Sequence, residues 1–267
     1  MGAPDAPVKL PMRLIAWNIR GGARAGILKV VSTLDPDVLV LTDCRPAHYA
    51  RIAQSLRLAG LEWATGTNEG NYTGILVASK TAFEPGPTHS TVLPGRWCHI
   101  TLPQLDTSIL AIYGPLRRAG TPRLVSSFWA ELREVGDQIA SSNALIVGDL
   151  NTAAAAVDTT SGLRLPAADD LRQLTGHGWR DVFRELHDQR QAFSYWDSRG
   201  AYRIDHCLLS PVSPRPLSAE YVCEAGGHTF GGWPATRETE VSDHAALIVD
   251  FPPSQTLGGQ SRGQNEN

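Results

Sequence analysis

The chain has 267 residues, of which 42% are hydrophobic and 19% charged, with a formal net charge of −3. That is enough apolar material for a packed core and too little charge for a disordered chain, and the length fits one large domain or two small ones. The acidic balance excludes a histone-like protein held on nucleic acid by bulk charge, although a local basic groove remains compatible with it.

Lysine occurs only at Lys9, Lys29 and Lys80. Nearly all positive charge is therefore on guanidinium groups, which suit bidentate phosphate contact; a genome's base composition produces the same bias. No apolar run approaches the ~20 residues needed to span a membrane, and the first residues, MGAPDAPVKLP, lack a signal pattern. Cys44, Cys98, Cys207 and Cys223 are far apart and lack metal-ligand spacing. The expectation is a reduced, cytoplasmic protein, with Cys98 and Cys207 as small core residues.

Residues 1–11 read as a Pro-rich flexible arm, 12–252 as the folded domain and 253–267 as a polar, disordered tail. Short apolar runs bounded by turn signals predict strands at 12–18 (MRLIAWN), 38–41, 74–78 (GILVA), 98–102, 109–113 (ILAIY), 144–147, 204–209 and 245–251. Helical spacing predicts helices at 26–34, 46–59, 122–140 and 167–174. The helix at 122–140 has Pro122 near its start and an apolar stripe of Leu124, Val125, Phe128, Leu132, Val135 and Ile139. Strands joined directly to one another predict hairpins and a mixed sheet, with helices covering strands that are apolar on both faces.

Polar residues gather at the downstream ends of these strands. Asn18 ends RLIAWN, Asp43 follows VLVLT, Tyr113 ends ILAIY, and Asp149 and Asn151 end ALIVGDLN. Asp205 lies inside RIDHCLLS, and Asp243 and His244 open SDHAALIVDF. Strand ends in a layered fold converge on one edge. Singly, each has a structural explanation: turn-forming Asn, an Asx turn at Asp149, a core tyrosine. Asp205 is the hardest to explain that way, because a lone carboxylate in an apolar strand is costly to bury.

The ordered set AWNIRGG, DVLVLTD, GILVAS, AIYGP, IVGDLN, RIDHCLLS and SDHAALIVDF resembles the endonuclease/exonuclease/phosphatase superfamily, and within it the exonuclease III and apurinic-endonuclease type. The resemblance covers about residues 12–251. It implies a four-layer α/β sandwich, with two mixed β-sheets packed face to face and helices outside. It also implies Mg²⁺- or Mn²⁺-assisted hydrolysis of a phosphoester, chemistry in which a hard cation with oxygen ligands neutralises phosphate charge. By resemblance, Asn18, Asp43 and Asp243 lie around the metal. Asp149 activates water, Asn151 holds the phosphate, His244 contacts it under the orientation of Asp205, and Tyr113 donates to a phosphate oxygen.

Two positions depart from the family: Asp43 stands where Glu is common, about 1.5 Å shorter in reach, and Arg20 where an acidic residue is frequent. The aromatic stretch AFSYWDSRGAYRIDH looks like the nuclease subgroup and offers Tyr195, Trp196 and Tyr202 for stacking, with Phe193 and Trp196 readable equally as core residues under a loop. Arg20, Arg117 and Arg118, with Arg123, Arg199 and Arg203, form a candidate basic rim. The loop 226–240 is either a recognition loop or a packed connector.

Three readings result. The first is a metal-dependent nuclease on DNA, acting as a monomer without membrane association. The second is a phosphatase or phosphodiesterase on a small-molecule, nucleotide or lipid phosphoester. The third is a catalytically impaired nucleic-acid-binding protein of the same fold.

Overall fold

The computed structural model describes residues 11–67, 73–87, 90–116, 121–232 and 241–253; all but one residue of the expected arm, and all but one of the expected tail, lie outside the described residues. In chain order its strands begin with β1 (Met12–Gly21), β2 (Val38–Cys44), β3 (Trp63–Gly66), β4 (Gly74–Ser79), β5 (Glu84–Pro85), β6 (Trp97–Leu102), β7 (Thr107–Tyr113) and β8 (Ala144–Asp149). They continue with β9 (Arg180–Asp181), β10 (Tyr195–Asp197), β11 (Gly200–Tyr202), β12 (Asp205–Leu209), β13 (Ser218–Val222), β14 (Glu224–Ala225), β15 (His228–Thr229) and β16 (Ala246–Phe251). The helices are α1 (Ile27–Leu34), α2 (Pro46–Leu58), α3 (Pro122–Ile139), α4 (Ala168–Gly176) and α5 (Val182–His187).

One sheet runs β13-β16-β1-β2-β4-β3 and the other β5-β6-β7-β8-β12-β9. Each has one parallel pair, β1 with β2 and β7 with β8, beside antiparallel neighbours. A parallel pair needs a crossover, which α1 supplies in the first sheet and α3 in the second.

Strand alternation sorts the apolar side chains into layers. Leu14, Ala16, Val38 and Val40 of one sheet share a cluster with Ile109, Ala111, Leu145, Val147 and Cys207 of the other. The alternate residues face outward. Ile15, Trp17, Leu39 and Leu41 pack with Ile27, Val30 and Ile52 of α1 and α2. Leu110, Ile112 and Ile146 pack with Phe128, Trp129, Leu132, Leu171 and Leu174 of α3 and α4. This is the helix–sheet–sheet–helix sandwich expected from the sequence.

Helix α3 buries Val125, Phe128, Trp129, Leu132, Val135 and Gly136, so its stripe is rotated from the expected one: Trp129 is inside and Leu124 is exposed. Strands β3 and β13 and helix α5 escaped the sequence reading. The edge strands have partly exposed faces, and α5 is a helix of 6 residues, too short to show a period. Among the described residues no helix is long and apolar enough to cross a membrane.

Arg203, expected on a basic rim, is instead only 1% exposed. Its Nε and Nη2 donate to Asp158 at 2.7 and 3.0 Å, and Nη1 and Nη2 donate to Asp181 at 3.1 and 2.7 Å. Asp181 also accepts from the Phe183 and Arg184 N–H groups at the start of α5. Burial opposes the charged form of both acids, but Arg203, with His206, outweighs it and holds both carboxyls below the ordinary range.

These depressed values stabilise the fold fully above the unfolded carboxylate value of about 3.9, and the contribution is lost as pH falls below it. Arg203→Met leaves two buried carboxylates without this partner, and urea unfolding at pH 7 is expected to show a loss of about 3–5 kcal/mol. A variant as stable as the parent contradicts this account.

Candidate active site

The inter-sheet face is apolar along most of its length and turns polar at one end. On β1 the inward series Leu14, Ala16 continues to Asn18; on β8 Leu145, Val147 continues to Asp149. On β7 Ile109, Ala111 leads to Tyr113, and on β12 Leu209, Cys207 leads back to Asp205. Register puts Tyr113 and Asp205 on either side of Asp149, in one row across the second sheet. Gly148 makes the row possible: its φ of +136° lies where side chains are rarely accommodated, and an added Cβ would sit 2.1 Å from the Ile112 oxygen.

Asn18 reaches across from the first sheet. Its Nδ2 donates to Asp149 Oδ2 at 2.8 Å, and its Oδ1 accepts the Arg20 N–H at 3.0 Å. Asp149 Oδ1 accepts the Asn151 N–H at 2.8 Å, and Asn151 Nδ2 donates to the Gly114 oxygen at 2.8 Å. His244 Nδ1 lies 2.8 Å from Asp205 Oδ2. The histidine's backbone is fixed by Trp17 Nε1 donating to its carbonyl and by Ser242 Oγ accepting its N–H. Ser194 Oγ accepts the Ile204 and Asp205 N–H groups.

Asp43, on the outward parity of β2, reaches the pocket by a different device. The β1–β2 and β2–β4 registers shift around Asn18–Gly21 and Leu41–Cys44, and Asp43 adopts a left-handed φ of +51°. Arg20 (+48°) and Asn151 (+52°) are left-handed too. Bulges and strained non-glycine backbone of this kind re-aim side chains at functional edges.

These residues line a cavity of about 450 Å³: Asn18, Arg20, Asp43, Tyr113, Asp149, Asn151, Asp243 and His244, with Tyr195, Asp197, Arg199 and Tyr202 on its flank. Leu116, Leu163, Leu165, Pro166 and Ile204 complete the wall. Arg20 Nε is 3.6 Å from Asp243 Oδ2. Tyr195 packs on Tyr202 and on His244, with ring centroids 6.3 and 4.9 Å apart. Trp196, expected to stack substrate, does not line the cavity; its ring approaches Gly231, the last turn before the undescribed part of the 226–240 loop. In the described part of that loop Phe230 is buried against Trp17, as a packed connector. Arg123 is exposed on α3, Arg199 is turned onto Asp197, and Arg117 and Arg118 lie outside the described residues.

Burial, reinforced by the Asp205 charge, pushes the Asp149 carboxyl up to about 7, against the pull of His244 and Asn18. Burial alone would lower the His244 imidazole, but Asp205, by charge and hydrogen bond, outweighs it and pushes the value up to about 9. Burial likewise raises the Asp43 carboxyl and the Tyr113 hydroxyl, so Tyr113 stays a protonated donor. The arrangement thus holds a carboxylate able to accept a proton near neutrality beside an imidazolium.

Asp149, Asp205 and His244 bring ligand-type atoms within 4.8 Å of one another. Since Nδ1 of the imidazole is already bonded to Asp205, this trio is a charge-coupled group. Asp43, Asp243 and the Asn18 amide line the same cavity and carry oxygen atoms, the donor type a hard divalent cation takes.

Several contributors carried no sequence signal. Thr73 hydrogen-bonds to Asp43. Arg96 stands 4.1 Å over the Tyr113 ring and donates to the Gly114 oxygen at 3.0 Å. Ser194 is one serine among many, whereas Ser242 is visible as the first residue of the SDH motif.

Two six-stranded mixed sheets with helices outside, closed at one end by these polar residues, define an α/β sandwich with a candidate active site. Residues 15–244 match the Endonuclease/Exonuclease/phosphatase family, and the chain belongs to it. Its fold is similar to that of an AP endonuclease from Archaeoglobus fulgidus, with a TM-score of 0.75 at 15% identity, over 90% of this chain and 99% of that one. It is similar also to the 3'-5' exonuclease NExo from Neisseria meningitidis, with a TM-score of 0.73 at 18% identity and the same coverage. A point variant of the 3' phosphatase NExo from Neisseria, bound to a product DNA hairpin, gives a TM-score of 0.70 at 18% identity and again that coverage. No curated protein matches the chain in sequence.

In the metal-free protein, with EDTA present, the His244 ring is expected to titrate near 9 by NMR. Asp205→Asn is expected to lower it clearly, since the neutral amide removes the largest influence that offsets burial. An unchanged titration in that variant contradicts the coupling.

Proposed function

We propose that this chain is a divalent-metal-dependent phosphoester hydrolase acting on nucleic acid, with DNA as the substrate and a metal-assisted, Asp149-activated water as the nucleophile. The row Tyr113–Asp149–Asp205, bridged by Asn18 and faced by the His244–Asp205 pair, is the observation that carries this reading. Family membership and the DNA-product complex of a structural neighbour support it.

Asp43 and Asp243, with the Asn18 oxygen, are the residues suited to hold Mg²⁺ or Mn²⁺. When bound there, the ion supplies charge neutralisation at the phosphate and at the leaving oxygen. Asp149, fixed by Asn18 and the Asn151 N–H, takes a proton from the attacking water. Asn151 orients the phosphate. The His244 imidazolium, held by Asp205, offers positive charge and a donor to the phosphate, and Tyr113 donates its hydroxyl proton in a hydrogen bond. Arg20 and the Tyr195–Tyr202 flank contact the rest of the substrate.

The test is a panel of supercoiled plasmid, abasic duplex, single strands, RNA and a simple phosphodiester, each with Mg²⁺ or Mn²⁺ and with EDTA. Strand cleavage is expected only with metal, and Asp149→Ala and His244→Ala are each expected to lower kcat by about 10²–10⁴-fold without loss of circular-dichroism signal. Turnover of the simple ester alone identifies a small-molecule phosphoesterase, and binding without any turnover contradicts the hydrolase reading. Calorimetry separates the metal question: heat of Mn²⁺ binding is expected for the parent and is expected to be lost in Asp43→Ala.

A further inference from the structure

One wall of the cavity is unlike the rest. Leu116 is 51% exposed and Leu163 53% exposed, and both line it beside Leu165 and Pro166. The loop carrying three of these residues is tied down. Thr159 Oγ1 donates to the Leu163 oxygen at 3.4 Å, Thr152 Oγ1 donates to the Pro166 oxygen at 2.5 Å, and the Ala168 N–H donates to the Leu165 oxygen at 3.3 Å. The Thr160 N–H donates to the Ala201 oxygen at 3.0 Å, which anchors the loop's start to β11. Leu163 and Leu165 are therefore presented to the cavity by a braced segment, with Leu116 beside them on the loop that follows β7.

Apolar surface held in water inside a cavity gains most from an apolar, complementary occupant. Phosphate and sugar do not supply one. The described cations that line this cavity each face a carboxylate, Arg199 with Asp197, Arg20 with Asp243 and His244 with Asp205, and none of the four wall residues is charged. A volume of about 450 Å³ is that of a pocket enclosing one small group. Of the parts of a nucleic acid, only the base has a broad, weakly polar face. Within a duplex the base is held in the stack by its pairing, so only an unpaired base is free to turn a face toward leucine.

We propose that the Leu116–Leu163 wall takes the face of a single unstacked nucleobase beside the scissile phosphate, so that the substrate is a strand whose nucleotide at the point of cleavage is unpaired. This rests on the phosphoester-hydrolase reading for its reaction, but not for its binding. Leu116 and Leu163 act as specificity residues and leave the chemistry to the polar end of the cavity.

The test compares the parent, Leu163→Asn, Leu116→Asn and the conservative Leu163→Met on a short single strand, the same strand in a blunt duplex, and a strand with base-free tetrahydrofuran units at the cleaved end. With Mg²⁺, either Asn variant, polar but uncharged, is expected to raise KM for the single strand by about tenfold, as expected for the lost burial of one large apolar side chain. Its kcat, and its KM on the base-free strand, are expected to be unchanged, and Leu163→Met is expected to behave as the parent.

Equal KM shifts on base-bearing and base-free strands, or no shift, overturn the proposal. If the parent cleaves nothing, the hydrolase reading fails by itself. The wall is then judged by binding in EDTA, where a strand ending in 2-aminopurine is expected to change its fluorescence with the parent and to lose that change with Leu163→Asn. Identical fluorescence with both proteins overturns the proposal.

Discussion

The hydrogen bond from Asn18 to Asp149 joins the two sheets at the one end where their shared core stops being apolar. The alternation that sends Leu14 and Ala16 inward on β1 sends Asn18 inward too, and the same parity does this for Tyr113, Asp149 and Asp205. The site is thus a continuation of the core, built from the next inward position on each strand. Packing that fixes the sheets fixes the distances between polar groups, so the geometry is set before any ligand arrives.

Burial gives the arrangement its chemical character. Two carboxylates, Asp149 and Asp205, are withdrawn from water in neighbouring strands, where both ionising would be unfavourable without a nearby positive charge. His244 supplies that charge, held by Asp205 on one side while its main chain is anchored by Trp17 and Ser242. Behind this group, Arg203 ties Asp158 to Asp181 and braces the segment that runs from Asn151 back toward β12. The buried ion pairs sit behind the polar edge, and the partly exposed Asp43 and Asp243 line the cavity in front of it.

Much of this was legible in the sequence because strand parity is a local property. Alternation within RLIAWN, ILAIY and ALIVGD suffices to put Asn18, Tyr113 and Asp149 at strand ends, and the central strands match their expected positions closely. Asp43 followed the wrong parity for the pocket, and its inward turn depends on a bulge that residue types do not announce. Arg203 looked like a surface cation because its partners lie 45 and 22 residues away. Trp196 stayed open between stacking platform and core residue because aromatic clusters read alike in sequence whether they face a cavity or pack under a loop. The leucines at 116 and 163 carried no signal, since an exposed apolar side chain is ordinary until the fold shows what it borders.

The central claim is that one end of the inter-sheet core gathers a cation between Asp43 and Asp243, next to Asp149. Anomalous diffraction from a crystal soaked in Mn²⁺ addresses it directly. The account predicts a single strong peak in the cavity, bounded by the Asp43 and Asp243 carboxylates and bordering the Asn18–Asp149 bridge. A peak elsewhere on the molecule, with the cavity empty at a concentration that saturates other sites, would contradict it.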